Sequence, residues 1–267
     1  MEFLAHFGLR KTPFTREVAV KELFPHPQRK EVLRNLLRAA NERMSSGLEG
    51  PAGSGKTTVI REFCEQLPEA RFRVHYLKVP GLSKRDMARE IAKSLALPEA
   101  GTFPKLLRTV QEAVESRIGT DGLRTVLVLD DAHELRPQVL GMFKALTNYE
   151  MDSRLVLSIV LVGQPPLSKL LRRAELLDVA QRLAWYGELR LLSRDETVDY
   201  IAHRCTIAGA TRDLFDERAV ESLYEMSRGN PRAVDHLARR ALEVAHHKQA
   251  PVVSEVEVSA ARRTLRL

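Results

Sequence analysis

The chain has 267 residues, 44% of them hydrophobic, enough for one large core or two smaller ones. Its longest apolar stretch, Leu155–Val162, is broken by Ser158 and too short for a membrane helix, and Met1–His6 lacks the marks of a secretory leader, so a cytoplasmic chain with no membrane contact is expected. Against 42 Lys and Arg stand 35 Asp and Glu; residues 191–267 hold 12 of each sign, so the whole +7 excess falls on residues 1–190, which fits a polyanion partner such as DNA.

In chain order, residues 1–28 carry Pro13, Pro25 and Pro27 among phenylalanines and predict an ordered but irregular lead-in. Arg29–Met44 spaces Val32, Leu33, Leu36 and Leu37 as a helix does, with a basic outer face. Met44–Glu49 reads as a poor strand, and a Gly-rich loop and a helix, Thr57–Gln66, follow it. Arg73–Val79 alternates as a strand; Lys84–Leu97 and Phe103–Ile118 return to helical period. Thr125–Leu129 is a β-branched strand, Pro137–Asn148 a helix, Leu157–Val162 a buried strand and Tyr186–Leu192 a last short strand. This alternation predicts an α/β fold with a parallel sheet covered on both faces.

After Leu192 only helical signals remain. Ser193–Glu196 is a capping box, Asp216 caps a second helix, Pro231 opens a third and Ser254–Glu257 is a second box. The expected division is an α/β domain over 1–192, with the lead-in at 1–28, and a helical domain over 193–267. Cys64 and Cys205 lie far apart and predict reduced, buried thiols; His133, His246 and His247 show no ligand spacing.

Gly50-Pro51-Ala52-Gly53-Ser54-Gly55-Lys56-Thr57 matches the Walker A pattern in full, with Thr58 continuing it. Its glycines let backbone N–H groups curl around a phosphate at a helix N-terminus, so ATP is the expected ligand. Lys56 is expected to reach the β- and γ-phosphates and Thr57 to ligate Mg²⁺. Glu49 is unusual beside such a loop. Thr125–Leu129 runs into Asp130 and Asp131 as in a Walker B strand, Asp130 holding Mg²⁺ through water and Asp131 orienting or deprotonating the attacking water.

These motifs, with Leu129–His133, Leu146–Ser153, Leu161–Pro165, His6–Leu9, Pro13-Phe14 and Gly229–Arg232, resemble the ExeA-type AAA+ ATPases over nearly the whole chain. Within that group they look most like the transposition helper ATPases of the TnsC, TniB and IstB kind. The resemblance implies a five-stranded parallel sheet, a helical lid and an ATP site completed by a neighbouring copy, in a ring or helical filament. It assigns Gln164 to the sensor-1 position, Arg182 to the arginine finger, with Arg172 and Arg173 as nearby competitors, and Arg232 to sensor 2. It sets Pro13 and Phe14 against the adenine, simple packing being the other reading. It makes Lys84, Arg85, Thr102 and Lys105, with Lys78 as a weaker candidate, the contacts to duplex DNA without sequence preference. Most relatives carry Glu where this chain has Asp131, and the shorter side chain implies slow hydrolysis, suited to a switch.

The leading expectation is therefore an oligomeric, ATP-dependent DNA-binding regulator that selects targets for, and recruits or activates, a transposase. The alternatives are a secretion-accessory ATPase of the ExeA kind, and a signalling or scaffold ATPase whose nucleotide controls assembly alone.

Overall fold

The computed structural model describes residues 2–78, 81–148 and 155–264, and of residues 119–121 the backbone alone. Val79, the expected end of a strand, and Tyr149–Ser153 of the quoted motif lie outside the described residues. The elements run α1 (Glu2–Phe7), α2 (Pro27–Asn41), β1 (Ser45–Glu49), α3 (Lys56–Gln66), β2 (Phe72–Leu77), α4 (Lys84–Ser94) and α5 (Phe103–Asp121). They continue with β3 (Arg124–Leu129), α6 (Pro137–Thr147), β4 (Leu157–Gly163), α7 (Pro166–Leu171), α8 (Leu177–Ala180) and β5 (Leu183–Glu188). Last come α9 (Arg194–Ile207), α10 (Glu217–Ser227), α11 (Pro231–His247) and α12 (Glu255–Thr264). Contacts divide the chain into two compact units, residues 28–51 with 56–189, and residues 1–27 with 52–55 and 190–267.

The first unit is the expected five-stranded parallel sheet, in the order β2-β3-β4-β1-β5. Alternate residues face opposite cores, as the period of two requires. Leu127, Leu129, Ile159 and Leu161 join one core with α4, α5 and α6. Val126, Val128, Val160 and Val162 join the other with α2 and α3. Both faces are dry, which explains why β3 and β4 read as continuous apolar runs.

Strand β1 corrects the sequence reading. It looked poor because of Ser45, Ser46 and Gly47, yet every residue in it is buried between β4 and β5. Ser45 Oγ accepts the Ile159 amide at 3.1 Å, so that hydroxyl is not an unpaired polar group. A side chain on Gly47 would sit 2.4 Å from the Tyr186 ring, so the small residue is a packing requirement. The last strand is Leu183–Glu188, earlier than expected, because its register follows β1 and closes with the Leu189 amide on the Glu49 carbonyl. Helix α5 passes Ile118 and stops at Gly122, whose φ of 64° lets its amide and that of Leu123 return to the Ile118 and Arg117 carbonyls.

The second unit packs α9–α12 with the lead-in. The sequence reading placed residues 1–28 with the α/β domain and left them irregular. Instead Glu2–Phe7 is helical, and Phe7, Leu9 and Phe14 are buried against Tyr200, Leu223, Leu237 and Leu242. The Arg10 amide donates to the Ala208 carbonyl at 2.8 Å, fixing the segment by its backbone as well. Two caps behave as expected, Ser193 and Glu196 forming the reciprocal box and Asp216 accepting the Ala219 amide; Pro231 opens α11 as expected, and Asn230 ahead of it accepts the Arg232 and Ala233 amides. At Ser254 the box is half made: the Glu257 carboxylate takes the Ser254 amide at 3.0 Å and its hydroxyl at 2.5 Å, while that hydroxyl accepts the Val256 amide at 3.3 Å in place of the Glu257 amide.

Gly229 joins α10 to α11 at a φ of 72°, and a Cβ there would lie 1.9 Å from the Leu192 carbonyl oxygen, whose own amide donates to Gly229. Backbone cannot yield as a flexible side chain does. Gly229→Ala is therefore expected to destabilise the helical unit by on the order of 2 kcal/mol or more, read as a lowered denaturant midpoint in an unfolding titration.

Candidate nucleotide site

The Gly-rich loop leaves the C-terminal end of β1 and enters α3 at Lys56. The Gly50 amide is held by the Gly163 carbonyl of the neighbouring strand. Gly53 and Gly55 take φ values of 81° and 98°, a left-handed backbone that glycine adopts without strain. The Lys56 ammonium is buried within the loop and donates to the Gly50 and Pro51 carbonyls at 2.7 and 2.9 Å. Ser54 Oγ is buried without a protein partner, whereas Thr57, at the first turn of α3, is exposed. A curled backbone, an ammonium and an orphaned hydroxyl form a donor set suited to a phosphate chain. Thr57 and Asp130 supply the hard oxygen ligands that Mg²⁺ takes.

At the tip of the loop, the second unit brings its own residues together. Asn230 Nδ2 donates to the Ala52 carbonyl at 2.7 Å, and a Cβ on Gly53 would come within 2.4 Å of Asn230 Oδ1 and 3.0 Å of Arg232 Cβ. Arg232 is thereby beside the loop, with its side chain exposed at the start of α11. The sequence reading singled out Arg232 and passed over Asn230, whose only signal was its helix-capping type ahead of Pro231.

Strand β3 delivers the two acids. Asp130 is buried; its Oδ1 accepts the Asp131 amide at 2.9 Å and its Oδ2 accepts the Tyr76 hydroxyl at 2.5 Å. Burial, then the bond to Asp130, pushes the Tyr76 phenol above its ordinary range, so it remains a donor. Asp131 has a φ of 55°, uncommon for a non-glycine residue, and Lys78 Nζ lies 3.0 Å from its Oδ2. Lys78, the weaker candidate for a DNA contact, pairs with Asp131. Tyr76, in β2, and Lys78, just past its last residue, reach successive acids, a link that pairwise motifs do not reveal.

Gln164 follows the last residue of β4, and its carbonyl accepts the Leu167 amide that opens α7. Arg172 and Arg173 are exposed at the other end of α7. Arg182 lies elsewhere: it precedes β5, at the end of the sheet where β1 begins with Ser45, and lines a pocket there with Ser45, Lys144 and Thr147. It is therefore at the opposite end of the strands from Asp130 and the Gly-rich loop of its own chain. Phe14, expected against an adenine, is 3% exposed, packed on Phe215 and under the Arg204 guanidinium; its ring is committed to the core, which is the packing reading. Pro13 beside it is buried as well.

The remaining basic candidates do meet. Arg85 Nε donates to the Gly101 carbonyl at 3.2 Å, and the Lys105 side chain lies over Gly101. Exposed Lys84 and Thr102 adjoin them at the starts of α4 and α5. Among the described residues no group of His, Cys, Asp and Glu has the arrangement of a metal centre, and no helix is long and apolar enough to cross a membrane.

Comparison with known proteins agrees with this geometry. A family model described as an AAA domain matches residues 39–171. General secretion pathway protein A of Aeromonas hydrophila is 31% identical over 263 residues, covering 96% of this chain and 47% of that protein, so the chain spans about half its relative's length. Among solved structures, Cdc6p of Pyrobaculum aerophilum is similar with a TM-score of 0.74 at 20% identity, over 94% of this chain and 70% of that one. The ORC1 protein of Aeropyrum pernix, solved in complex with DNA, gives 0.70 at 19% identity, over 96% and 69%. At these identities the structural likeness is one of fold. Residues 39–171 thus match an AAA domain, and the chain has the AAA+ P-loop fold of these neighbours.

Proposed function

We propose that the chain is the ATP-hydrolysing module of an ExeA-type protein, in which nucleotide state governs assembly with further copies of itself. The observation that carries this reading is the Gly-rich loop holding Lys56 in the same sheet that presents consecutive carboxylates, Asp130 and Asp131. On ATP binding, Lys56 turns from the Gly50 and Pro51 carbonyls to the phosphates, gaining a charged partner for two neutral ones. Thr57 and, through water, Asp130 would hold Mg²⁺, which when bound would neutralise charge on the phosphates. Asp131 orients the water that attacks the γ-phosphorus as the bond to the bridging oxygen breaks, yielding ADP and phosphate. Gln164 faces the γ-phosphate and Arg232 closes on the loop whose tip it already adjoins. Arg182 serves a neighbouring copy, since its place at the far end of its own sheet leaves no role at its own acids.

The similarity to general secretion pathway protein A runs through nearly the whole chain and supports a part in assembling or energising a secretion apparatus. The relatives described above lend no support to the transposition reading. The shorter acid at Asp131, held by Lys78, supports slow turnover and a switch.

Lys56→Ala is expected to abolish tight ATP binding, and Asp131→Asn to keep binding while slowing hydrolysis; nucleotide anisotropy and phosphate release measure the two. Wild-type turnover in Asp131→Asn would reassign the water-orienting residue.

If Arg182 acts in trans, turnover per protomer rises with protein concentration, and Arg182→Ala loses on the order of 10³ in turnover with binding intact. Mixing that variant with Lys56→Ala restores part of the activity, one supplying the pocket and the other the finger. Co-assembly without recovery would move the role to Arg172 or Arg173.

A second reading, binding of duplex DNA without sequence preference, is favoured by the convergence of Arg85 and Lys105 at Gly101, with Lys84 and Thr102 alongside. It is also in keeping with the neighbour solved in complex with DNA. Phosphate contacts of this kind set register and carry no base information. Anisotropy with random-sequence duplex is expected to show binding with an ATP analogue, weakening with salt at a log–log slope near −0.9 for each phosphate contacted, and flattened when Lys84 and Arg85 become Ala. No binding at low salt would remove this reading and leave the ATPase reading standing.

A further inference from the structure

Glu49 was the one residue beside the Gly-rich loop that the phosphate chemistry did not explain: an acid where the ligand is an anion. The structure turns its side chain away from that task. Glu49 is the last residue of β1, immediately before Gly50, and is buried at 9% exposure. Its Oε2 accepts the Tyr186 hydroxyl of β5 at 2.9 Å and the Ser168 amide of α7 at 3.2 Å. Burial, then the bond to Glu49, pushes the Tyr186 phenol above its ordinary range, so Tyr186 stays protonated and donating. Ser168 is fixed again by its own hydroxyl, which donates to the Pro165 carbonyl at 3.0 Å. One buried carboxylate thus ties together the strand that carries the phosphate loop, the strand beside it and the helix that follows Gln164.

The helix lies between the proposed Gln164 and the alternative finger candidates. Gln164 precedes it and accepts the Leu167 amide, and exposed Arg172 and Arg173 follow Leu171. A shift of α7 by a fraction of an ångström moves Gln164 relative to the Gly-rich loop, and hydrolysis is steeply sensitive to such misplacement. Burying an acid is costly unless its oxygens are hydrogen-bonded, and here the bonds that satisfy Glu49 come from two separate elements, β5 and α7.

We propose that Glu49 is a positioning residue for hydrolysis: through Ser168 and Tyr186 it locks α7, and with it Gln164 and the Arg172-Arg173 pair, to the nucleotide state of the phosphate loop. The inference rests on the ATPase reading above. It places no contact between Glu49 and ATP, so nucleotide affinity and turnover separate when the link is cut.

The test compares the full chain with Glu49→Ala, Glu49→Gln and Tyr186→Phe. Fluorescent-ATP binding is expected to stay within about twofold in all of them, while turnover falls about tenfold or more in Glu49→Ala, less in Tyr186→Phe, and least in Glu49→Gln, which keeps an acceptor oxygen. Should Glu49→Ala fail to fold, Tyr186→Phe carries the comparison, because it deletes one hydroxyl and keeps the ring against Gly47. A second readout does not depend on hydrolysis. Hydrogen exchange of the peptide Gly163–Arg173 is expected to slow on adding a slowly hydrolysed ATP analogue to the wild type, and to respond far less in Glu49→Ala and Tyr186→Phe. Equal protection in wild type and variants, no nucleotide effect in the wild type, or turnover unchanged in Glu49→Ala would each overturn the proposal. A wild type that binds ATP and protects α7 yet never hydrolyses would sink the ATPase reading and leave the link itself in place.

Discussion

Strand β1 is the constraint on which the α/β unit depends. It is paired on both sides, by β4 and β5, and covered on both faces, so every residue in it faces a neighbour it must fit. Fully burying Leu48 stabilises the sheet by about 1.5–3 kcal/mol, and Gly47 is required because the Tyr186 ring occupies the space a side chain would take. A strand held so firmly is a rigid stand for the loop at its end. The phosphate-binding backbone must approach its ligand within hydrogen-bond distance without reorganising, and a fixed origin makes that possible.

From the same sheet the acids emerge with their own restraints. Asp130 is fixed by its neighbour's amide and by Tyr76, and Asp131 is held in a left-handed backbone with Lys78 on its outer oxygen. The Tyr76 restraint comes from β2, an edge strand, and Lys78 follows that strand's last residue. Glu49 ties the strand at the other side of the sheet to α7 in a comparable way.

The helical unit follows another principle. Its core is made of small and aliphatic residues from α9–α12, closed by aromatic residues of the lead-in, with Arg204 buried among them. Arg204 donates to the Thr15 carbonyl at 2.7 Å and faces Asp235, whose carboxyl burial pushes up to about 6 against the opposing pull of Arg204. Tyr200 completes the group with a 2.8 Å bond to Asp235. These polar bonds fix the lead-in where apolar contact alone would let it slide.

The sequence by itself determined the nucleotide motifs and the class of fold. Gly50–Thr57 and Leu129–Asp131 are local chemistry, in which the residues that do the work are neighbours in the chain, and the apolar runs of β3 and β4 are long enough to show a sheet buried on both faces. Helix-start residues such as Ser193, Asp216 and Pro231 were legible because a helix start is settled within four residues. What only the tertiary structure decided are the pairings across strands: that β1 is central despite its serines, that Phe14 is core, that Lys78 meets Asp131, and that Glu49 binds Tyr186 and Ser168. Lys78 and Asp131 lie 53 positions apart, Glu49 and Ser168 119, and Glu49 and Tyr186 137. A one-dimensional pattern holds no record of which distant groups will satisfy one another, since burial and register create those partners only when the chain has folded.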